Sequence, residues 1–409
     1  MQALDALNND RDGPCIRLHC GVLEFPVHYM RGGTSTGIVI WEPLLPRDEA
    51  LRDELLRHLM GVPLTGSQPG NRQITGLGRG PATSNKVFLA RIEEQSGAPR
   101  LVSTLAQLAS DHGAIDWSVN CGNMSSALPL WAIDTGLIEV PVAGVCEIAI
   151  KNTNTGVVTT ARMSRDEHGR FVNAEIPGVS GAFPSVDLFL HSPVGNKTGA
   201  LLPTGSAVDE IAGHQVSCVD VAVPMVIADA RSFGKTAHES VAELEADTDF
   251  MAALRYVWIE AGLKMGLRRR DGELMSRADL ERSETIPKVC IVGAPRHGGH
   301  IAVRYFTPQT GHASMAVSGG CCLAAACLIP GTTAYNVAQG VAQPMSSFSD
   351  IEVSIENPAG KLDTTVSARF DGGQLAIDSA AYRRSTQILM RGHVPLYRAS
   401  AELIAALGN

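Results

Sequence analysis

The stretch Asn120–Gly136, NCGNMSSALPLWAIDTG, decides how this chain is read. Its second half is apolar on nearly every face and closes on a glycine. A helix without a polar face has to be wrapped by other structure. The first half sets a cysteine, two carboxamides and two hydroxyls at the start of that helix. Helix starts carry unsatisfied N–H groups and partial positive charge. A thiol there ionises more readily, and an anion is held more readily. The stretch predicts a central helix from about Met124 to Thr135, with acid–base or nucleophilic chemistry on a carboxylate at its start. Pro129 lacks a backbone donor, which predicts a kink or a later start of the regular helix.

A second segment repeats the pattern. Ser318-Gly319-Gly320 leads into an apolar helix expected from about Gly320 to Leu328, closed by Pro330-Gly331, without the carboxamides. Strand-like alternation surrounds both segments, at Val22–His28, Gly37–Trp41, Lys86–Ile92, Cys146–Lys151, Val216–Ile227, Lys288–Val292 and His300–Phe306. Amphipathic helices are predicted at Arg47–Met60 and over Ser240–Leu267, the latter broken near Asp247-Thr248-Asp249. The fold class expected is α+β: a mostly antiparallel sheet curled around one central helix, made twice. The boundary is placed near Pro184–Asn196. The strand-like tail Thr386–Tyr397 returns to the first half, giving domains 15–190 with 386–409, and 191–385.

Composition narrows the function. At 409 residues two domains are the default. A net charge of −8 and no basic block longer than Arg268-Arg269-Arg270 argue against a nucleic-acid partner. No apolar run reaches membrane-spanning length. Met1–Pro14 is polar, lacks an apolar signal core and reads as a loose leader, so the cytoplasm is the expected compartment. Nine cysteines without regular spacing are no disulfide framework. Cys321, Cys322 and Cys327 read as core residues, and no metal site is expected.

Other motifs carry chemistry. In Met30–Gly37, MRGGTSTG, glycines let backbone N–H groups converge on an anion and Arg31 adds a bidentate clamp. A hairpin turn with a surface arginine is the alternative. Gly76–Lys86 ends with Lys86 where a polar turn meets the apolar strand Val87–Ala90. It is either a solvated edge lysine or a buried, desolvated amine fit to act as a base. Asn196–Gly199 and Pro203–Gly205 suit a hinge or a ligand contact. His312, in Thr310-Gly311-His312, reads as structural.

In this order the segments RGGTS (31–35), Gly76–Lys86, NCGN (120–123), KTG…PTG (197–205), Ser217–Pro224, Pro287-Lys288 and Ile329–Thr332 resemble the PrpF-type isomerases. These are a branch of the diaminopimelate epimerase-like fold. The match runs from about His28 to Val394. Lys151–Gly156 (KNTNTG) and Val303–Pro308 (VRYFTP) look most like the 4-oxalomesaconate tautomerase branch. The resemblance implies two similar halves with an active site in the cleft between them. It also implies a cofactor-free 1,3-proton shift in an unsaturated di- or tricarboxylate, 4-oxalomesaconate first. 2-Methylaconitate, aconitate and methylitaconate share that chemistry. A two-base racemase or epimerase and a non-catalytic carboxylate-binding protein are the alternatives.

Carried over by motif, Lys86 and Cys121 are the catalytic acid–base pair. The substrate-binding set is Arg31, Gly32, Gly33, Thr34, Ser35, Thr83, Ser84, Asn85, Asn120, Gly122, Asn123, Ser125, Lys197, Thr198, Ser318, Gly319 and Gly320. Thr36, Thr75 and Arg79 depart from the family pattern, and Arg79 is positioned to clamp an extra carboxylate. No cofactor or metal is implied. The partner is a small polycarboxylate, with no membrane and no nucleic acid. Oligomeric state is left open, a homodimer included.

Overall fold

The computed structural model describes residues 14–80, 85–95, 97–118, 121–269, 271–307 and 309–408. The chain divides into two units. One holds the described residues up to Glu175, Val179–Val186 and the chain from Arg384 onward, and the other holds Ile176–Gly178 and Asp187–Arg383.

After a three-residue edge strand, Arg17–His19, the first unit forms β1 (Val22–Gly32) and β2 (Ser35–Trp41), an antiparallel hairpin. The amphipathic α1 (Glu49–Met60) follows, capped by the Asp48 side chain and closed by Gly61 in the left-handed region. It carries the chain over to β3 (Lys86–Gln95), which runs parallel to β2. β4 (Ala98–Leu108) pairs antiparallel with β3, and the two-residue β5 (Ile115–Asp116) folds back on it. Next come α2 (Gly122–Ser125) and α3 (Leu128–Asp134). β6 (Gly144–Asn152) runs parallel to β4 and antiparallel to β7 (Val158–Arg165). β8 (Phe183–His191) pairs with β7 and with the last strand of the chain, so the sheet curls on itself.

The single helix expected over Met124–Thr135 is two short ones. The chain turns at Ser126-Ala127, and Pro129 falls in the first turn of α3. A missing N–H costs nothing there, because the first-turn donors have no intrahelical partner.

The second unit repeats this order. β9 (His214–Val221) and β10 (Val223–Asp229) form the hairpin. The single strand expected over Val216–Ile227 is therefore two, turning at Ala222 with φ 63°. α4 (Val241–Ala246) and α5 (Thr248–Lys264) make the crossover, each started by its own side-chain cap, Ser240 and Asp247. β11 (Lys288–Gly293) runs parallel to β10, and β12 (Ile301–Thr307) and β13 (Thr310–Gly311) follow antiparallel. α6 (Val317–Ala326) leads to β14 (Ser349–Asn357), parallel to β12, and to β15 (Gly360–Asp371). β16 (Gln374–Pro395) pairs with β15 in this unit and, from Thr386, with β1 in the other.

The repeat is exact in register at one place that matters. The third residue of the second hairpin strand pairs in parallel with the first residue of the strand after the crossover helix. In one unit this pair is Gly37 with Lys86, in the other Met225 with Lys288. Side chains alternate across a strand. Val87 and Leu89 pack on α1, while Val289 and Ile291 pack on α5. Lys86 and Lys288 therefore both belong to the opposite face. In the second unit that is the face of Cys290 and Val292, which packs on α6.

The end of α3 is tied to the sheet by a charge. Asp134 accepts from Arg391 on β16, 2.7 Å from its Nε, and from His28 on β1 at 3.3 Å. Burial opposes ionisation, but the hydrogen bonds from Arg391 and His28 outweigh it and hold the carboxyl at about 2. A carboxyl lowered on folding stabilises above its ordinary range and loses that contribution as pH falls through the folded value. Asp134→Asn is expected to cost about 1–2 kcal/mol at neutral pH. It should also flatten the fall of Tm between about pH 4 and pH 2, as read by circular dichroism on both proteins.

Candidate active site

Cys121 is the residue just before α2, in extended backbone, and is half-buried. α2 is a single turn, so the positive potential at the thiol comes from the local N–H groups of Gly122, Asn123 and Met124 rather than from a long helix. Ser125 closes the turn, its N–H and hydroxyl both donating to the Cys121 carbonyl at 2.9 and 3.0 Å.

The RGGTS loop packs on this turn. A Cβ on Gly32 would lie 2.5 Å from the Asn123 carbonyl oxygen, so only glycine fits. Gly33 has φ +53° and its N–H donates to Ser385 O at 2.9 Å. The Asn123 amide donates to Thr34 Oγ1 at 3.2 Å, and Cys121 Sγ stands 4.0 Å from Ser35 Oγ. Ser35 and Gly37 share one sheet face, being two apart on β2. Lys86 is the lateral neighbour of Gly37 on that same face. A Cβ on Gly37 would lie 2.5 Å from the Lys86 carbonyl oxygen and 3.0 Å from its Cβ. Lys86 is 4% exposed, so it is a buried lysine rather than a solvated edge residue. The structure thus brings Lys86, Ser35, Cys121, Asn123, Thr34, Gly32 and Gly33 into one neighbourhood.

Arg31 is buried at its root. Nη1 donates to the carbonyls of Gly33 and Ser385 at 2.9 and 3.0 Å, Nε reaches Gln387, and the guanidinium lies over Phe183, 4.7 Å from the ring centre. Burial pushes its pKa down. Most of the predicted clamp therefore braces the loop, and Nη2 alone is buried without a partner among the described residues. Asn85, expected at the ligand, is wholly buried: its carbonyl accepts from Arg79 N at 2.8 Å and its amide donates to Gly80 O. It holds the Gly76–Gly80 loop closed, helped by Gln73, which bonds Met60 O and Gly80 N. Arg79 lies over the Tyr29 ring at 4.8 Å. Thr75 is exposed, and Thr36 accepts from Tyr29 Oη at 3.4 Å. Thr83, Ser84 and Asn120 lie outside the described residues.

In the second unit the backbone N–H groups of Lys197 and Thr198 and the Thr198 hydroxyl all donate to Asp220 Oδ2, at 2.8–2.9 Å. That loop is built around a fully buried carboxylate, and the Lys197 side chain is exposed. Ser318 and Gly319 lie inside the first turn of α6, not ahead of it as expected, and Gly320 N already donates to Ala316 O at 2.9 Å. The N–H groups of Val317, Ser318 and Gly319 are the ones a helix leaves unspent.

Asp116 to Cys121 and Gly311 to Ala316 span the same number of residues, and Cys121 and Ala316 both immediately precede their helices. The second-unit counterpart of the thiol is an alanine. Cys321 and Cys322 are fully buried within α6, and burial pushes the Cys322 thiol well up.

Sequence reasoning missed the braces. Asn154 of the KNTNTG segment accepts from Leu105 N and donates to the carbonyls of Leu105 and Trp117, at 2.7–2.9 Å. It pins the chain a few residues ahead of Cys121. Ser385 and Gln387 are distant in sequence from Arg31, and only the pairing of β16 with β1 puts them beside it.

Among the described residues His238, His297 and Glu356 could hold a metal ion, their ligand atoms lying within 4.8 Å of one another. The Glu356 carboxylate is already met by three backbone N–H groups, from Arg296, His297 and Gly299. Arg296 and Arg304 line the same cleft of about 410 Å³, which makes it a poor cation site. None of the described helices is long and apolar enough to cross a membrane.

A curled sheet with a buried lysine beside Gly37 and a half-buried thiol packed on a glycine loop, repeated in topology without the second thiol, defines a one-cysteine member of the diaminopimelate epimerase-like fold. Residues 22–397 match the family model described as PrpF protein. The chain is 33% identical over 372 residues to the (4E)-oxalomesaconate Delta-isomerase of Novosphingobium sp. strain KA1, covering 90% of this chain and 96% of that protein. It is 32% identical over 349 residues to the 4-oxalomesaconate tautomerase of Pseudomonas putida KT2440, covering 85% and 90%. A crystal structure of methylitaconate-delta-isomerase superposes with a TM-score of 0.76 at 25% identity, over 94% of this chain and 97% of that one. The chain belongs to the PrpF family and is an isomerase.

Thiol exposure gives a direct check. Iodoacetamide on the native protein is expected to modify only Cys15, Cys20 and Cys121, because the other six cysteines are buried. Mass spectrometry showing Cys321 or Cys322 labelled before unfolding would contradict this placement.

Proposed function

We propose that this protein is a cofactor-independent isomerase that moves a carbon–carbon double bond in an unsaturated di- or tricarboxylate by a 1,3-proton shift, with 4-oxalomesaconate the first candidate substrate. One observation carries the reading. Lys86 is buried on the sheet face it shares with Gly37 and Ser35, and Ser35 Oγ is 4.0 Å from the Cys121 sulfur. A base and an acid of different chemistry thus flank one small polar patch.

In the reaction, one of the pair removes a proton from the allylic carbon. The C–H electrons form a new double bond, the old one shifts, and charge collects on the adjacent carboxylate or keto oxygens. N–H and hydroxyl donors from Gly122, Asn123, Thr34 and Ser35 meet that charge. The other member of the pair then delivers a proton to the far allylic carbon. Coupled groups can exchange these roles. The first-turn N–H groups of Ser318 and Gly319 are assigned to a carboxylate.

The racemase alternative needs a second thiol at the position that Ala316 occupies, and the buried Cys321 and Cys322 do not replace it.

The test is proton NMR in deuterated water with 4-oxalomesaconate, 2-methylaconitate, aconitate and methylitaconate, which reports turnover and site of exchange together. Lys86→Ala and Cys121→Ser are each expected to lower kcat by about 10²–10⁴-fold with unchanged far-UV circular dichroism. Near-normal exchange in both variants would rule the assignment out.

A further inference from the structure

The register repeat singles out a residue for which the proton shift has no use. Lys288 is the first residue of β11, pairs in parallel with the third residue of β10, and lies on the α6 face, as Lys86 does in its own unit. It is half-buried, and its side chain makes no hydrogen bond or ion pair among the described residues. A cation withdrawn from water without a counter-charge costs free energy, and burial pushes its pKa down.

Its surroundings share the deficit of negative charge. His312 is half-buried, its ring 5.8 Å from that of Tyr305. His312 Nδ1 accepts from Ser314 N at 2.9 Å, which fixes the proton of the neutral ring on Nε2. Burial lowers the His312 pKa, and the Lys288 charge lowers it further. Tyr305 stands opposite Cys290, the next residue on Lys288's face, and its ring packs on the first turn of α6, 2.5 Å from where a Cβ on Gly319 would be. The Tyr305 hydroxyl is buried with no hydrogen-bond partner among the described residues, in a residue only 1% exposed. Buried polar groups in native proteins are paired. A lysine, an Nε2–H, a phenol and the unspent N–H groups of a ten-residue helix are all donors, and among the described residues no acceptor meets them.

We infer that Lys288 is a substrate-binding residue that holds a carboxylate of the substrate at the start of α6, together with the first-turn N–H groups of Val317, Ser318 and Gly319. It is a specificity residue, not the base. It recognises a carboxylate and does not act on carbon. The inference rests on the polycarboxylate reading above for its ligand class.

The probe is tricarballylate, a saturated tricarboxylate that has no double bond to move, titrated calorimetrically into the full-length protein. Lys288→Met is expected to weaken its binding by about ten-fold or more, the loss of one charge-assisted hydrogen bond. Lys288→Arg keeps most of it. With whichever acid is turned over, Lys288→Met should raise KM by a similar factor while kcat falls far less. Tm should stay level or rise, since an unpaired cation is removed. A purely structural lysine would instead lower Tm and leave KM alone. Unchanged tricarballylate binding in Lys288→Met, no binding by the unaltered protein, or binding lost only in step with Tm overturns the inference. If tricarballylate binds through Lys288 while none of the four unsaturated acids exchanges deuterium, the inference stands and the proposed reaction falls.

Discussion

The structure depends on the parallel contact between Gly37 and Lys86. The strand bearing the lysine lies so close that a side chain at 37 would strike the Lys86 carbonyl oxygen at 2.5 Å. The parallel pairing needs a crossover, and α1 supplies it. The register then decides which residue of β3 faces α1 and which faces the polar turn of α2. A slip by one residue would send Lys86 into the apolar cluster around Leu55, Leu56 and Leu59 and turn Val87 toward Ser35. Placing a charge among those side chains is far costlier than placing it beside hydroxyls, so the hydrophobic pattern of the strand enforces the position of the lysine.

The loop opposite is fixed by the same economy of space. Gly32 touches the backbone of Asn123 and Met124, and Arg31 commits Nη1 to Gly33 and Ser385 and Nε to Gln387. An arginine committed in this way is a strut. It helps hold Thr34 against the Asn123 amide and Ser35 near the Cys121 sulfur, and in the proposed reaction such prepositioned groups meet charge that appears only in the transition state.

Much of this was legible in the chain because periodicity and turn chemistry agree locally. Asp48, Ser240 and Asp247 cap the helices whose starts they mark, and the strands begin within a few residues of their alternating runs. NCGN and RGGTS could be picked out because glycine, carboxamide and thiol at such density serve no core. The rest was hidden for physical reasons. Pro129 looked like a defect in one helix, since sequence does not show that the chain turns at Ser126-Ala127. Asn85 and Thr198 looked like ligand contacts because a buried amide or hydroxyl that braces a loop has the same composition as one that binds a substrate. Only their partners, Arg79 and Gly80 in one case and Asp220 in the other, tell them apart. Arg31 and Ser385 are joined by strand pairing across almost the whole chain, a contact that no local signal carries.

The two units also show how a repeated topology separates roles. The topology is kept, and two features are kept to the residue: the parallel register after the crossover and the interval from the short strand to the helix start. What differs is the chemistry hung on it. One helix start has a thiol, the other an alanine that can neither give nor take a proton. A proton shift between two carbons of one substrate needs an acid and a base, not two equal thiols. A base and an acid with different intrinsic affinities for the proton suit a reaction whose two ends are chemically unlike, where a symmetric pair suits inversion at a single carbon. With alanine at that position, the proposed reaction leaves the second helix start for binding alone. On the inference drawn for Lys288, that lysine and the first-turn N–H groups serve charge recognition without competing for the proton in transit.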